Sequence, residues 1–218
     1  MQKHSIYITI TLSILTSLSI AQEEKKIMRK GNDSYFGGRP VEAANYYKKS
    51  LKEKQDYYKA NFNLGDAYFR TANLIKAGKI PIPDKKMTTD SAAALVYQQA
   101  AEQFDVVAKS VSNADTIQKA WHNYGNAKLM QNSYEDAILG YKKALKLNPK
   151  DEDTRYNLAY AQKKLAEQQK NQKKNDDKKD QDKKDKKDEQ KDKQEKDKEN
   201  INNPNDKDKQ EAQPKTSK

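Results

Sequence analysis

The chain has 218 residues, with 43 Lys and Arg against 32 Asp and Glu, two His, no Cys and a hydrophobic share of only 34%. That share is low for a chain that is globular throughout. Without cysteine there are no disulfides, thiol nucleophiles or thiolate metal sites, nor a lipid-modified N-terminal cysteine, and two widely separated histidines argue against a His-based metal centre. No nucleophile–base constellation or carboxylate pair is in register anywhere, so the sequence predicts no catalytic, cofactor-binding or metal-binding residues and a protein that is not an enzyme.

The apolar deficit is local. Residues 170–218 contain only Ile201 and Ala212 from the hydrophobic set, and their 17 Lys are interleaved with 14 Asp and Glu. Lysines neutralised by adjacent carboxylates release few counterions, so the net charge of +11 does not read as nucleic-acid binding.

In chain order, Met1–Gln22 opens with Lys3, continues through an apolar run from Ile6 to Ile20 and ends in Ser19-Ile20-Ala21. This reads as a secretory signal, residues 1–21, cleaved after Ala21. An uncleaved inner-membrane anchor is the alternative, but about 16 residues span roughly 24 Å, short of a ~30 Å hydrocarbon layer. On either reading the expected location is periplasmic or in the cell envelope if the source is bacterial.

Residues 22–169 carry a 34-residue period. Its clearest copy is 118–151, where Trp121, Tyr124, Gly125, Ala137, Tyr141, Ala144 and Pro149 stand at places 4, 7, 8, 20, 24, 27 and 32. Gly125 and Ala137 let two antiparallel helices approach, Tyr141 and Trp121 fill the space between them, Ala144 admits the next copy and Pro149 ends the second helix. Residues 24–57 are in phase, with Gly31, Ala43 and Tyr47 at places 8, 20 and 24 and Ser50 in place of the later alanine. Gly37-Gly38 supplies the turn, and Pro40 suits the first turn of the second helix.

The copy at 58–117 starts with Leu64, Gly65 and Tyr68 in phase, but Gly65 and Gly125 are 60 residues apart, 26 more than one period. Most of the excess is expected between its helices, the second beginning near Ala92, because the stretch from Lys76 to Asp84, with Gly78, Pro81 and Pro83, forbids continuous helix. Ile80, Ile82 and Met87 form either a docking arm or a flap folded on the second repeat. A last helix over 152–169, beginning around Arg155-Tyr156-Asn157-Leu158, caps the array. From Lys170 on, nothing can be buried, so a disordered Lys/Asp-rich tail is expected over 170–218.

This pattern resembles the tetratricopeptide repeat. The resemblance implies an all-α solenoid of three helical hairpins plus a C-terminal capping helix, with first helices lining a concave groove at places 2, 5, 6 and 9. Those places hold Met28, Arg29 and Asn32 in the first repeat; Lys59, Phe62, Asn63 and Asp66 in the second; Lys119, His122, Asn123 and Asn126 in the third; and Tyr156, Asn157 and Tyr160 in the cap. The sixth place is Asn in three of four copies, and an amide can both donate to and accept from a peptide backbone. The same asparagines also read simply as polar surface positions, and Phe62, Tyr156 and Tyr160 as apolar anchors or as packing between helices. Repeat domains that clamp a C-terminal carboxylate are similar at Asn32, Asn63 and Lys119, but Met28 and Asn123 stand where two further cations would be, so this sequence does not support tight carboxylate capture.

The run Asn148-Pro-Lys-Asp-Glu-Asp-Thr-Arg-Tyr-Asn-Leu-Ala159, with the expanded middle repeat, the signal and the low-complexity tail, resembles the tetratricopeptide proteins of Bat (Bacteroides aerotolerance) operons, the BatC family. That resemblance implies a non-enzymatic envelope adaptor working beside membrane-anchored von Willebrand A-type subunits and linked to oxygen or stress tolerance. A periplasmic holdase-like chaperone is the competing reading.

Overall fold

The structure is a computed structural model and describes residues 23–82, 84 and 86–174. The expected signal and the tail beyond 174 lie outside the described residues. Within them the chain forms seven α-helices and no strand: α1 over 23–36, α2 Pro40–Glu53, α3 Tyr58–Lys76, α4 Thr89–Ser110, α5 Ala114–Met130, α6 Tyr134–Leu147 and α7 over 152–174. Two units divide the chain, Met1–Leu165 and Ala166–Lys218; of the second, residues 166–174 are described and are helical. Helix therefore continues past residue 169, because Gln and Lys lose little rotamer freedom in a helix.

The first helix of each hairpin ends in the same way. After α1, Gly38 N–H returns to Tyr35 C=O and Arg39 N–H to Ser34 C=O; after α3, Gly78 and Lys79 return to Ile75 and Leu74; after α5, Asn132 and Ser133 return to Leu129 and Lys128. This double return needs a left-handed residue just past the helix, supplied by Gly38 (φ 79°), Gly78 (φ 68°) and Asn132 (φ 62°), the residue types that tolerate it. Starts are handled locally too. Pro40 occupies the first turn of α2, while Thr88 and Asn113 accept N–H groups of Ser91 and Thr116 to cap α4 and α5.

The core is a series of small residues facing rings. Ala43, Ala137 and Ala144 are fully buried, Tyr47 and Tyr141 almost completely so, and Trp121 is 8% exposed. The middle repeat absorbs its extra residues differently from expectation. Only residues 77–88 form a linker, while α3 and α4 reach 19 and 22 residues, so much of the excess lengthens the hairpin. The added turns pair through Phe69 and Tyr97, 5.4 Å apart edge to face, and the Tyr97 hydroxyl donates to Asn73. Ile80, Ile82 and Met87 pack on the cluster of Ala72, Ile75, Ala92, Ala93 and Tyr97, so the linker is a flap on its own repeat.

Two substitutions test this packing by urea unfolding. The Ser50 hydroxyl is buried without a partner at the place where the third repeat has Ala144, so Ser50→Ala is expected to stabilise by about 1 kcal/mol. A Cβ on Gly125 would stand 2.5 Å from the Tyr141 ring. Gly125→Ala should therefore cost about 1–3 kcal/mol, although Ala in an open helix would gain roughly 1.

Candidate functional site

The sixth and ninth places of α1, α3, α5 and α7 carry a repeated hydrogen-bond unit. In the first repeat the Tyr47 hydroxyl donates to Asn32 Oδ1 at 2.9 Å, and Asn63 Nδ2 of the next repeat donates to the same oxygen at 3.0 Å. In the third, Tyr141 donates to Asn126 Oδ1 at 2.8 Å and Asn157 Nδ2 to the same oxygen at 3.0 Å. Burial raises the phenols of Tyr47, to about 12, and of Tyr141, so both stay protonated donors. Each unit links the two helices of one hairpin to the first helix of the next.

The middle repeat departs from this. Asp66 stands at the ninth place and Phe104 lies against Gly65 as Tyr47 lies against Gly31 and Tyr141 against Gly125. Phe104 has no hydroxyl, and the donor that remains is Asn123 Nδ2 at 3.3 Å. Burial pushes the Asp66 carboxyl up to about 7.

The sixth-place amides Asn63, Asn123 and Asn157 thus each commit one N–H to the ladder, and each remains partly exposed. Around Asn32 and Asn63 the surface forms two adjoining clefts. One, of about 350 Å³, is lined by Met28, Tyr57, Tyr58, Lys59, Phe62, Asp115, Thr116 and Lys119 together with the two amides. Lys119 is held by Asp115 at 2.8 Å, Lys59 is exposed, and Phe62 packs edge-on to Phe104 with ring centres 5.5 Å apart. The other, about 100 Å³, lies among Asn32, Tyr35, Phe36, Tyr47, Asn63 and Asp66.

At the cap, Asp151 accepts Thr154 N–H at 3.1 Å and the Thr154 hydroxyl at 2.7 Å, which caps α7, and Gln118 Nε2 reaches the same carboxylate at 2.5 Å. Burial alone would raise the Asp151 carboxyl; the two Thr154 bonds and His122 hold it below the ordinary range. Thr154 has one hydroxyl proton and gives it to Asp151, so the 2.6 Å contact with His122 must be donated by Nδ1–H. Burial keeps the imidazole pKa low against the pull of Asp151 and Asp153. His122 therefore ties α5 to the cap. Arg155 Nη1 holds the Pro149 carbonyl at 2.9 Å, while Tyr156 is 72% and Tyr160 43% exposed.

Of the residues that line these two clefts, the sequence singles out Met28, Asn32, Tyr47, Lys59, Phe62, Asn63, Asp66 and Lys119 but not Tyr35, Phe36, Tyr57, Tyr58, Asp115 or Thr116, and it does not single out Thr154 at the cap. A signal was present for the ladder: Asn32 to Tyr47 and Asn126 to Tyr141 are both 15 residues apart, and Asn32 to Asn63 and Asn126 to Asn157 both 31. Among the described residues there is no cluster of three potential metal ligands and no helix long and apolar enough to cross a membrane.

A family model described as TPR repeat matches residues 125–165. Among solved structures, the TPR domain of Arabidopsis OM64 is similar at 18% identity and a TM-score of 0.50, covering 65% of this chain and 96% of that one. The Sgt2 TPR domain from Aspergillus fumigatus is similar at 17% identity and a TM-score of 0.50, covering 68% of this chain and 82% of its own. No curated protein matches the sequence. The fold is an all-α tetratricopeptide-repeat solenoid.

The raised carboxyl of Asp66 gives a signed pH effect. Its folded pKa lies above the unfolded value of about 3.9, so the folded state binds the extra proton, and this contribution to stability is lost as pH rises from about 4 through 7. Asp66→Asn recreates the amide of the other two repeats. It is expected to raise the melting temperature at pH 8 and to flatten the stability profile between pH 4 and 7, measured by thermal unfolding across pH.

Proposed function

We propose that this protein is a non-enzymatic adaptor of the cell envelope that holds an extended segment of a protein partner in the groove of its first helices. The observation that carries this reading is the pair of clefts around Asn32 and Asn63. There, amides anchored by the ladder stand beside partly exposed Phe62 and exposed Lys59. An amide fixed through one N–H presents its carbonyl and its second N–H in a set direction, which suits contact with a peptide backbone. Tyr156 and Tyr160 extend an apolar surface along the cap.

The partner is a von Willebrand A-type membrane subunit of a Bat-like complex, and the role is linked to oxygen or stress tolerance; this rests on the resemblance of the Asn148–Ala159 run, the signal segment and the tail. In this reading residues 1–21 export the chain and the charged tail acts as a solvated spacer. A holdase-like chaperone is the second reading. It draws on an apolar pocket of about 390 Å³ between α2, α3, α4 and the flap, where Val41 and Leu95 are exposed.

In-cell crosslinking of the tagged full chain followed by mass spectrometry separates the two. Asn63→Ala/Asn123→Ala/Asn157→Ala removes groove and ladder together, so Lys59→Ala/Tyr156→Ser/Tyr160→Ser, which spares the ladder, is the matched variant. Capture of one or two membrane subunits, lost in both variants, is the expected result. A broad spectrum of envelope proteins insensitive to either variant would instead establish the chaperone.

A further inference from the structure

We propose that Asp66 and the small cleft beside it receive a lysine side chain of the bound segment, so that the groove selects partners presenting a lysine to the second repeat. This deepens the groove reading and rests on it.

Asp66 interrupts an otherwise regular device. At the same place Asn32 and Asn126 each accept two hydrogen bonds, from a phenol and from the next amide. At Asp66 the phenol is absent, because Phe104 fills the ring position, and one bond of 3.3 Å remains. An asparagine would close the ladder there without the cost of desolvating a carboxylate. The acid thus leaves acceptor capacity turned toward the cleft and unused by the fold.

The surroundings fit an ammonium. The cleft of about 100 Å³ admits an ammonium head and its last methylenes, and with Asn123 on Oδ1 the carboxylate offers one free oxygen, which suits a point donor better than a guanidinium fork. Phe36 stands at its edge, 81% exposed and edge-on to Tyr35 with ring centres 5.7 Å apart. Beyond that edge contact much of the ring is open, and its face can cover lysine methylenes and attract the cation. The Asn32 and Asn63 amides also line the cleft.

The nearby cation of the chain does not fill this role. Arg70 spends Nη1 on the Tyr35 carbonyl at 3.0 Å and lies over the Tyr35 ring at 5.2 Å, and among the described residues Asp66 has no ion pair. The other groups around it are Tyr35 from α1 and Tyr47 from α2, whose burial keeps them protonated, and Phe104 and Asn123 from α4 and α5, which do not titrate. His122 beside Asn123 is turned to Thr154. With burial holding the carboxyl near 7, an incoming ammonium favours the ionised form, so lysine binding strengthens from pH 6 to pH 8. The chain's charge of +11 repels a basic segment overall, so a lysine preference must be local.

The test uses the full chain and fluorescein-labelled nine-residue peptide libraries, degenerate except for a central lysine, norleucine or arginine, read by fluorescence anisotropy at low salt. At pH 8 the lysine library should bind at least about fivefold more tightly than the norleucine library, the ratio should shrink at pH 6, and arginine should fall between. Asp66→Asn should bring lysine and norleucine within twofold of each other while still binding norleucine peptides. Phe104→Tyr, which offers Asp66 a phenol donor, should lower the lysine preference. Equal binding of lysine and norleucine by the parent chain, tighter arginine than lysine, or a preference that survives Asp66→Asn would overturn the lysine site and leave the groove standing. No binding of any library would overturn both.

Discussion

Each hairpin closes on an aromatic ring laid against a helical glycine, and the rest of the molecule is arranged around that contact. Tyr47 on Gly31, Phe104 on Gly65 and Tyr141 on Gly125 leave no room for a Cβ, which brings the paired helices within reach of buried alanines. The ring also has a second use. Its hydroxyl arrives beside the residue just after the glycine, and that residue, as Asn, can accept from the ring and from the next repeat at once. A contact between two helices thereby becomes a link among three in the first and third repeats, at a net gain of about 1 kcal/mol per bond.

The middle repeat keeps the ring and glycine and loses the phenol half of the link, leaving Asn123 alone on Asp66. Its longer helices and its flap bury the Ala72, Ile75 and Tyr97 cluster, so that hairpin gains apolar contact its neighbours lack. Burial of that kind scales with area and needs no alignment, whereas the ladder depends on donors within a few tenths of an ångström. A repeat that holds together by area can leave a polar position unsatisfied. Asp66, with its raised carboxyl, is such a position. Buried groups with displaced pKa values and incomplete partners are where proteins concentrate recognition.

How far the sequence went can be judged residue by residue. The hairpins were legible because Gly, Ala and Tyr recur with a fixed period and each has one packing job. Gly37-Gly38, Pro40 and Pro149 marked ends because their backbones admit few alternatives. The division of the 26 extra residues between linker and longer helices was not legible, since Thr71, Asn73 and Thr89–Ser91 have middling helix propensity and only Phe69 meeting Tyr97 decides for helix. At the site, Asn63, Asn123 and Asn157 could be recognised as one recurring place, but their attachment to Asn32, Asp66 and Asn126 required comparing separations across repeats rather than places within one. The state of Asp66 depends on its burial and on the missing hydroxyl of a residue 38 positions away, which no local pattern records.

The two ends of the array differ for a related reason. A stack of identical units would leave its last face apolar, and here the face is closed by α7, whose N-terminus is built from the Asn148–Ala159 run. Asp151 caps the helix and takes Gln118 and Thr154 together, Thr154 accepts from His122, and Asn157 completes the ladder to Asn126. One short stretch thus ends α6, starts α7 and bonds both to α5. The same stretch presents Tyr156 outward, which fixed backbone on either side allows it to do without loss of order.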